Sequence, residues 1–144
     1  MSPEELKVMH DRFVEKVINN RDLSAVEEFI APEYKAQGWD PPVEGPDGYR
    51  QLIERIRITF PDIHFTTDDF FVSGDKTVTR WTVRGTQLGT FLVYPPTGKE
   101  ATWGGITISR VNAEGKAVEE WILPDNFSLL LQLGVIPMPS QVPA

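Results

Sequence analysis

The residues best suited to chemistry stand near the C-terminal end, in Glu120-Trp121-Ile122-Leu123-Pro124-Asp125. On a β-strand successive side chains alternate between faces, which places Trp121, Leu123 and Asp125 on one side. A carboxyl group that shares its surface with a large aromatic and an aliphatic side chain loses hydration, and desolvation raises its pKa. Such a group can take a proton from carbon and return one to oxygen, which is general acid–base work. The same Asp125 directly precedes an apolar run ending at Leu133, and aspartate is a favoured helix N-cap. On the residues alone, capping is the stronger of these two readings.

Aromatic side chains supply candidate pocket walls: Phe13, Trp39, Trp103 and Trp121, although aromatics at strand spacing more often build the core than a ligand platform. Arg80 and Arg84 fall on one side of their strand and could hold an enolate, but pairing with acidic residues across a sheet is the commoner use of such arginines. His10 on the first helix and His64 at a strand start read as structural residues. With no cysteine and only two, widely separated histidines, a thiol nucleophile and a zinc-thiolate site are excluded and a histidine-rich metal site is not expected, while a carboxylate-only metal site stays open.

The elements that must position these residues belong to one domain. A chain of 144 residues supports one hydrophobic core, and 40% hydrophobic with 24% charged residues is a globular composition. Fourteen basic against 21 acidic residues, scattered without a basic stripe, argue against a nucleic-acid partner. The acidic start Met1-Ser2-Pro3-Glu4-Glu5 is unlike a signal peptide and no stretch has membrane-spanning length, so a cytoplasmic protein with no membrane partner is expected.

Ser2 and Glu5 form a capping-box pattern around Pro3, and Leu6, Met9, Phe13 and Val17 recur at helical steps up to Asn19-Asn20. Asp22 reads as the cap of a shorter helix through Ile30, broken by Ala31-Pro32. After a Gly/Pro-rich link from Gly38 to Gly48, a third helix runs through Tyr49, Leu52, Ile53 and Ile56 to Phe60-Pro61. From Ile63 the period becomes two: strands through Phe65 and Val72, Thr77 to Thr86, Phe91 to Tyr94, Ala101 to Val111, and a last one ending near Leu123, with a short helix from Phe127 to Leu133. Helices first and an antiparallel meander afterwards is α+β order, a curved antiparallel sheet wrapped around N-terminal helices. The domain is expected over residues 1–137, with a loosely held tail at 138–144.

The spelling adds to the pattern. Asn20-Arg21-Asp22-Leu23, Phe60-Pro61-Asp62, Arg80-Trp81-Thr82-Val83-Arg84-Gly85-Thr86, Pro95-Pro96-Thr97-Gly98-Lys99, Glu120 to Asp125, and Leu131-Gln132-Leu133-Gly134 stand in an order that resembles the SnoaL-like polyketide cyclases, from about Leu6 to Pro137. The resemblance implies a cone-shaped α+β barrel enclosing a pocket for a small apolar or aromatic ketone, and a homodimer or higher homo-oligomer. It also implies cofactor-independent closure of a polyketide ring by intramolecular aldol condensation, with Asp125 at the position of the family's acid/base. With it, Asp125 becomes the leading catalytic candidate. Gln37 and Gln87 stand where many relatives carry histidine, and Thr107 is a further pocket candidate of that kind. An amide binds a carbonyl or hydroxyl but shuttles no proton, which keeps a polar pocket while weakening the case for the same reaction.

Three other functions remain open on the sequence. A non-catalytic small-ligand module is one, because a fold does not fix a function. An epoxide hydrolase-like enzyme is another, although two aspartates flanking an arginine cannot be placed on matching strands. The third is a dimerisation domain whose cone is filled by Phe, Trp and Leu.

Overall fold

The computed structural model describes residues 1–39 and 41–141. Residues 142–144, the end of the expected tail, lie outside the described residues.

Helix α1 spans Pro3–Phe13 and starts on the expected capping box: Ser2 Oγ accepts from the Glu5 N–H at 3.1 Å, and Glu5 Oε2 accepts from the Ser2 N–H at 3.1 Å. The helix continues through Val14–Asn19 with wider π-type turns. Asn19 then ties the helix to the sheet, donating from Nδ2 to Phe65 O at 3.0 Å and accepting the Phe65 N–H at 2.9 Å. A 3-10 helix, Leu23–Glu28, follows the Asp22 cap.

Strand β1 covers Ile30–Gln37, so Ile30, Ala31 and Pro32 belong to a strand and not to the end of the second helix. Proline has no N–H to give a ladder, and the pairing of β1 with its neighbour is irregular between Ile30 and Lys35, the stretch that contains Pro32. Strand β2, Val43–Glu44, lies inside the Gly/Pro-rich link and leads into helix α2, Gly45–Thr59, which Phe60 caps before Pro61.

Strands β3 (His64–Ser73), β4 (Lys76–Thr86), β5 (Glu100–Val111) and β6 (Ala117–Pro124) form the meander, and helix α3, Asn126–Leu133, closes it. Gly134, at φ 73°, ends α3 in the left-handed conformation that glycine adopts without steric cost. The sheet has six strands in the order β2-β1-β6-β5-β4-β3. The α+β class is as expected, with one parallel pairing: β1 runs alongside β6, and the rest of the chain provides the crossover. The expected strand at Phe91 to Tyr94 forms only a bridge across its own turn, because residues 88–99 make a loop built around Gln87.

The apolar faces bury in two connected clusters. Val17, Val26, Tyr34, Val43, Tyr49 and Leu52 pack between the helices and β1, while Phe60, Trp81, Val83, Trp103, Leu129 and Leu133 pack under α3. Ile122 of β6 touches both. Burying side chains such as Leu129 and Leu133, each 1% exposed, stabilises the domain by about 1.5–3 kcal/mol apiece. Among the described residues no helix is long and apolar enough to cross a membrane.

Candidate active site

Strand alternation decides which side chains enter the cone. On β6 the inward residues are Val118, Glu120 and Ile122, whereas Glu119, Trp121 and Leu123 point outward; Leu123 is 69% exposed. Register continues this inner row across the sheet: Glu120 stands opposite Ser109 on β5, Ser109 opposite Thr77 on β4, and Ala36 of β1 flanks Glu120 on the other side. Ser109 and Thr77 are both buried.

Glu120 is therefore an acid on the inner face. Its Oε1 accepts from the Tyr34 hydroxyl at 2.6 Å, and its Oε2 accepts from the Ser109 hydroxyl. Burial pushes the Glu120 pKa up, and the two hydroxyl donors, Ser109 and Tyr34, oppose that rise without cancelling it. The neighbouring phenols are driven up as well, each by burial first and then by the Glu120 charge. Tyr34 meets Tyr49 edge to face at 5.7 Å, and Phe13 tilts against Tyr49 at 5.8 Å and Phe29 at 5.5 Å.

The sequence candidates divide between three places. Phe13, Trp39 and Thr107 face the interior: Phe13 and Trp39 pack on the Tyr34–Tyr49 cluster, and Thr107 Oγ1 accepts from Trp81 Nε1 at 2.9 Å. Trp103 and Gln87 are core residues. Trp103 stacks obliquely on Phe60 at 4.9 Å. Gln87 is 0% exposed; its amide donates to Tyr94 O and Pro95 O and accepts from the Thr97 N–H and hydroxyl, so it organises the 88–99 loop and has no group left for a ligand.

Gln37, Trp121 and Asp125 lie away from the interior. Gln37 donates to Glu119 Oε2 at 2.8 Å on the outer face, and Trp121 lies between Gln37 and Ile108 there. Asp125 shares its parity with Trp121 and Leu123 as expected, but that face is the solvent face. Its carboxylate is exposed, accepts the Ser128 N–H at 3.0 Å as the N-cap of α3, and borders a surface groove of about 370 Å³ with Arg80, Thr82, Ile106 and Leu123. The expected desolvation of Asp125 is thus absent in the geometry.

Arg80 and Arg84 make the cross-strand pairs expected of them, with Asp69 at 2.7 Å and Glu100 at 3.9 Å. His64 is exposed. His10 is half-buried, stacked on Phe70 at 4.7 Å with Nε2 2.8 Å from Thr67 Oγ1, and desolvation lowers its pKa to about 4. Among the described residues no group of three His, Cys, Asp or Glu side chains is arranged to hold a metal ion.

Glu120 is thus a half-buried acid held by two hydroxyls on the inner face of the sheet. The sequence profile of the SnoaL-like polyketide cyclases matches residues 8–133, and the chain belongs to that family. Among solved structures it is similar to TsrD of Streptomyces laurentii, with 30% identity over 94% of this chain and 99% of that one at a TM-score of 0.85. It is also similar to AclR, a candidate hydroxylase of Streptomyces galilaeus, with 29% identity over 99% of this chain and 87% of that one at a TM-score of 0.80. IdmH, a candidate polyketide cyclase of Streptomyces antibioticus, shows 29% identity over 93% of this chain and 99% of that one at a TM-score of 0.75. Among curated proteins no sequence matches the chain.

The sequence reading did not single out Glu120, Tyr34, Tyr49 and Ser109, which the structure groups on the inner face. The available signal was an acid at the centre of Val118-Glu119-Glu120-Trp121-Ile122, flanked at two-residue steps by aliphatic side chains.

Proposed function

We propose that this chain is a cofactor-independent acid/base enzyme acting on a polycyclic or polyketide-like ketone, with Glu120 as the proton-transfer group. The observation that carries the reading is the Glu120 carboxyl itself, an ionisable group on the inner face whose pKa is raised by burial. A carboxylate with a raised pKa is a stronger base, and the same group once protonated can return the proton as an acid.

In an aldol closure Glu120 removes the proton from a carbon beside a carbonyl. The resulting enolate carbon bonds to the acceptor carbonyl carbon, the acceptor's π pair moves onto its oxygen, and that oxygen takes the proton back from Glu120. The aromatic walls from Phe13 and Trp39 hold the two carbons together and exclude water, the main demands of a reaction whose carbanion is already stabilised by flanking carbonyls. Asp125 serves as the cap of α3.

The test is turnover of polycyclic β-keto esters, followed by mass spectrometry, for wild type, Glu120→Gln and Asp125→Asn. Glu120→Gln is expected to lower kcat by about 10²–10⁴, the usual weight of a general acid–base group, with Asp125→Asn close to wild type. The wild-type rate should rise with pH through the raised pKa of Glu120. Loss of turnover in Asp125→Asn alone would transfer the chemistry to Asp125.

A non-catalytic ligand-binding module is the second reading. It is favoured by the occupied state of Glu120, each of whose oxygens already accepts a hydroxyl. Binding of ketones without conversion by any of the three proteins would establish it.

A further inference from the structure

Removing a proton from a carbon beside a carbonyl drives an electron pair onto the carbonyl oxygen, and a site that does this work has to meet the new charge. Around Glu120 the groups at hand are hydroxyls: the carboxyl forms no ion pair among the described residues and is bonded by Tyr34 and Ser109. Both of these are committed, Tyr34 to Oε1 at 2.6 Å and Ser109 to Oε2. Tyr49 is the third hydroxyl of the group.

Helical spacing places it there. Tyr49, Leu52 and Ile53 form a buried stripe of α2 that packs on β1, so the Tyr49 ring meets Tyr34 edge to face at 5.7 Å and Phe13 at 5.8 Å. The residue is 6% exposed. Among the described residues the sealed side-chain atoms that lack a hydrogen-bond partner are Trp39 Nε1 and Arg57 Nε. The Tyr49 hydroxyl is bonded by no group of the described residues and yet is not one of these, so its oxygen keeps access to open space. Glu120 is half-buried and is likewise not sealed. Burial first, and then the Glu120 charge, hold the Tyr49 phenol well above its ordinary pKa. At neutral pH Tyr49 is therefore a hydrogen-bond donor that keeps its proton.

We infer that Tyr49 is a second catalytic residue, whose hydroxyl donates to the substrate oxygen that becomes an enolate while Glu120 takes the proton from the adjacent carbon. The pair of the broken C–H bond forms the C=C bond, the carbonyl π pair moves onto the oxygen, and the Tyr49 proton stays on Tyr49. The inference rests on the reading of Glu120 as the base, and it deepens that reading by assigning the group that meets the charge.

The probes are 4-nitrophenol, which ionises to a delocalised oxyanion resembling an enolate, and 4-nitroanisole, which has the same ring and no charge. Glu120→Gln supplies the neutral side chain that a protonated Glu120 presents. Dissociation constants are measured by equilibrium dialysis, at a pH where the phenol is ionised, for Glu120→Gln with and without Tyr49→Phe, which removes the hydroxyl and keeps the ring. The double variant is expected to bind 4-nitrophenolate about ten- to a hundredfold more weakly, the span of one hydrogen bond to a charged oxygen, with 4-nitroanisole changed less than about twofold. Carbon-13 labelling at tyrosine Cζ gives a signal for each of the three tyrosines. In Glu120→Gln the signal that Tyr49→Phe removes should shift on adding 4-nitrophenolate and stay in place with 4-nitroanisole, a result that does not depend on the double variant's stability. In turnover, Tyr49→Phe alone should lower kcat by about 10²–10³, the weight of one oxyanion donor.

Equal weakening of both probes, an unmoved Tyr49 signal, no binding of 4-nitrophenolate by Glu120→Gln, or an unchanged kcat in Tyr49→Phe would overturn the inference. The two readings fail separately. Phenolate selectivity that depends on Tyr49, beside unaltered turnover in Glu120→Gln, keeps the donor and rejects the base; the reverse pattern keeps the base and rejects the donor.

Discussion

Replacing Glu120 by glutamine isolates the energetics of the inner-face carboxyl. In the unfolded chain this group has the ordinary value of 4.5, and burial raises it in the native state. Between those two values the folded protein holds a proton that the unfolded chain has released. The contribution to stability is therefore fully present below 4.5 and is lost as the pH rises through the folded pKa. Within that window the loss runs at about 1.4 kcal/mol per pH unit. Glu120→Gln has no proton to release, so its stability should stay level where the wild type declines. The amide fits the same partners: its oxygen accepts one hydroxyl, and its nitrogen donates to the other, which rotates to accept.

Urea unfolding of both proteins at closely spaced pH values from 4 to 8 measures the difference directly. The Glu120→Gln curve should gain on the wild type steadily across the window and run parallel to it below. A Tyr34→Phe variant adds a second reading. Removing the donor to Oε1 should cost about 0.5–1.5 kcal/mol where Glu120 is protonated and about 1.5–3 kcal/mol where it is charged, so its penalty grows with pH. Parallel stability curves for wild type and Glu120→Gln over the whole range would refute the claim that burial raises this carboxyl, and with it the basis for assigning it acid/base work.

Other consequences follow from single contacts. His10, held neutral with a pKa of about 4 against 6.5 unfolded, contributes stability that is present above 6.5 and is lost as the pH falls through 4; wild type should lose about 3 kcal/mol relative to His10→Gln over that interval in urea titrations, at 1.36 kcal/mol per unit. Asp125→Ala should destabilise by about 1 kcal/mol through loss of the α3 cap, and Asp125→Ser should restore most of it, as thermal unfolding would show. Gly105→Ala should cost about 1–3 kcal/mol, because a Cβ there would stand 2.2 Å from Trp81 Cζ2; an unchanged midpoint would mean that the indole swings aside freely.

The parts of the fold legible in the sequence are those whose causes are local. The Ser2–Glu5 box, the end of the first helical stretch at Asn19 and the stop of α2 before Pro61 each depend on residues within a turn or two. The misread parts depend on distant partners. Ile30 to Pro32 become strand because β6 pairs with β1, a parallel partnership more than eighty residues apart in sequence that no local period announces. Phe91 to Tyr94 have strand-like residues but join no strand of the sheet, since Gln87 holds the loop through Tyr94, Pro95 and Thr97. A buried, fully bonded glutamine is indistinguishable in sequence from a polar pocket residue.

The site turned on one choice of parity. Along β6 both alternations look buried: Trp121 and Leu123 on one, Val118 and Ile122 on the other. The aromatic side chain favours the first, and one-residue parity reverses every assignment at once. What decides for the second is the remaining surface. Trp81 lies over Gly105, Ile122 joins both halves of the core, and an acid between Val118 and Ile122 is tolerated because hydroxyls reach it from β1, 86 residues away, and from β5, 11 residues away. Asp125, in contrast, needs only Ser128, three residues on, to be satisfied. A cap can be read from four consecutive residues; a buried acid becomes readable only when the strands that supply its donors are paired. The acid that sequence reasoning finds first is therefore the one satisfied locally, and Glu120 is the one whose donors come from other strands.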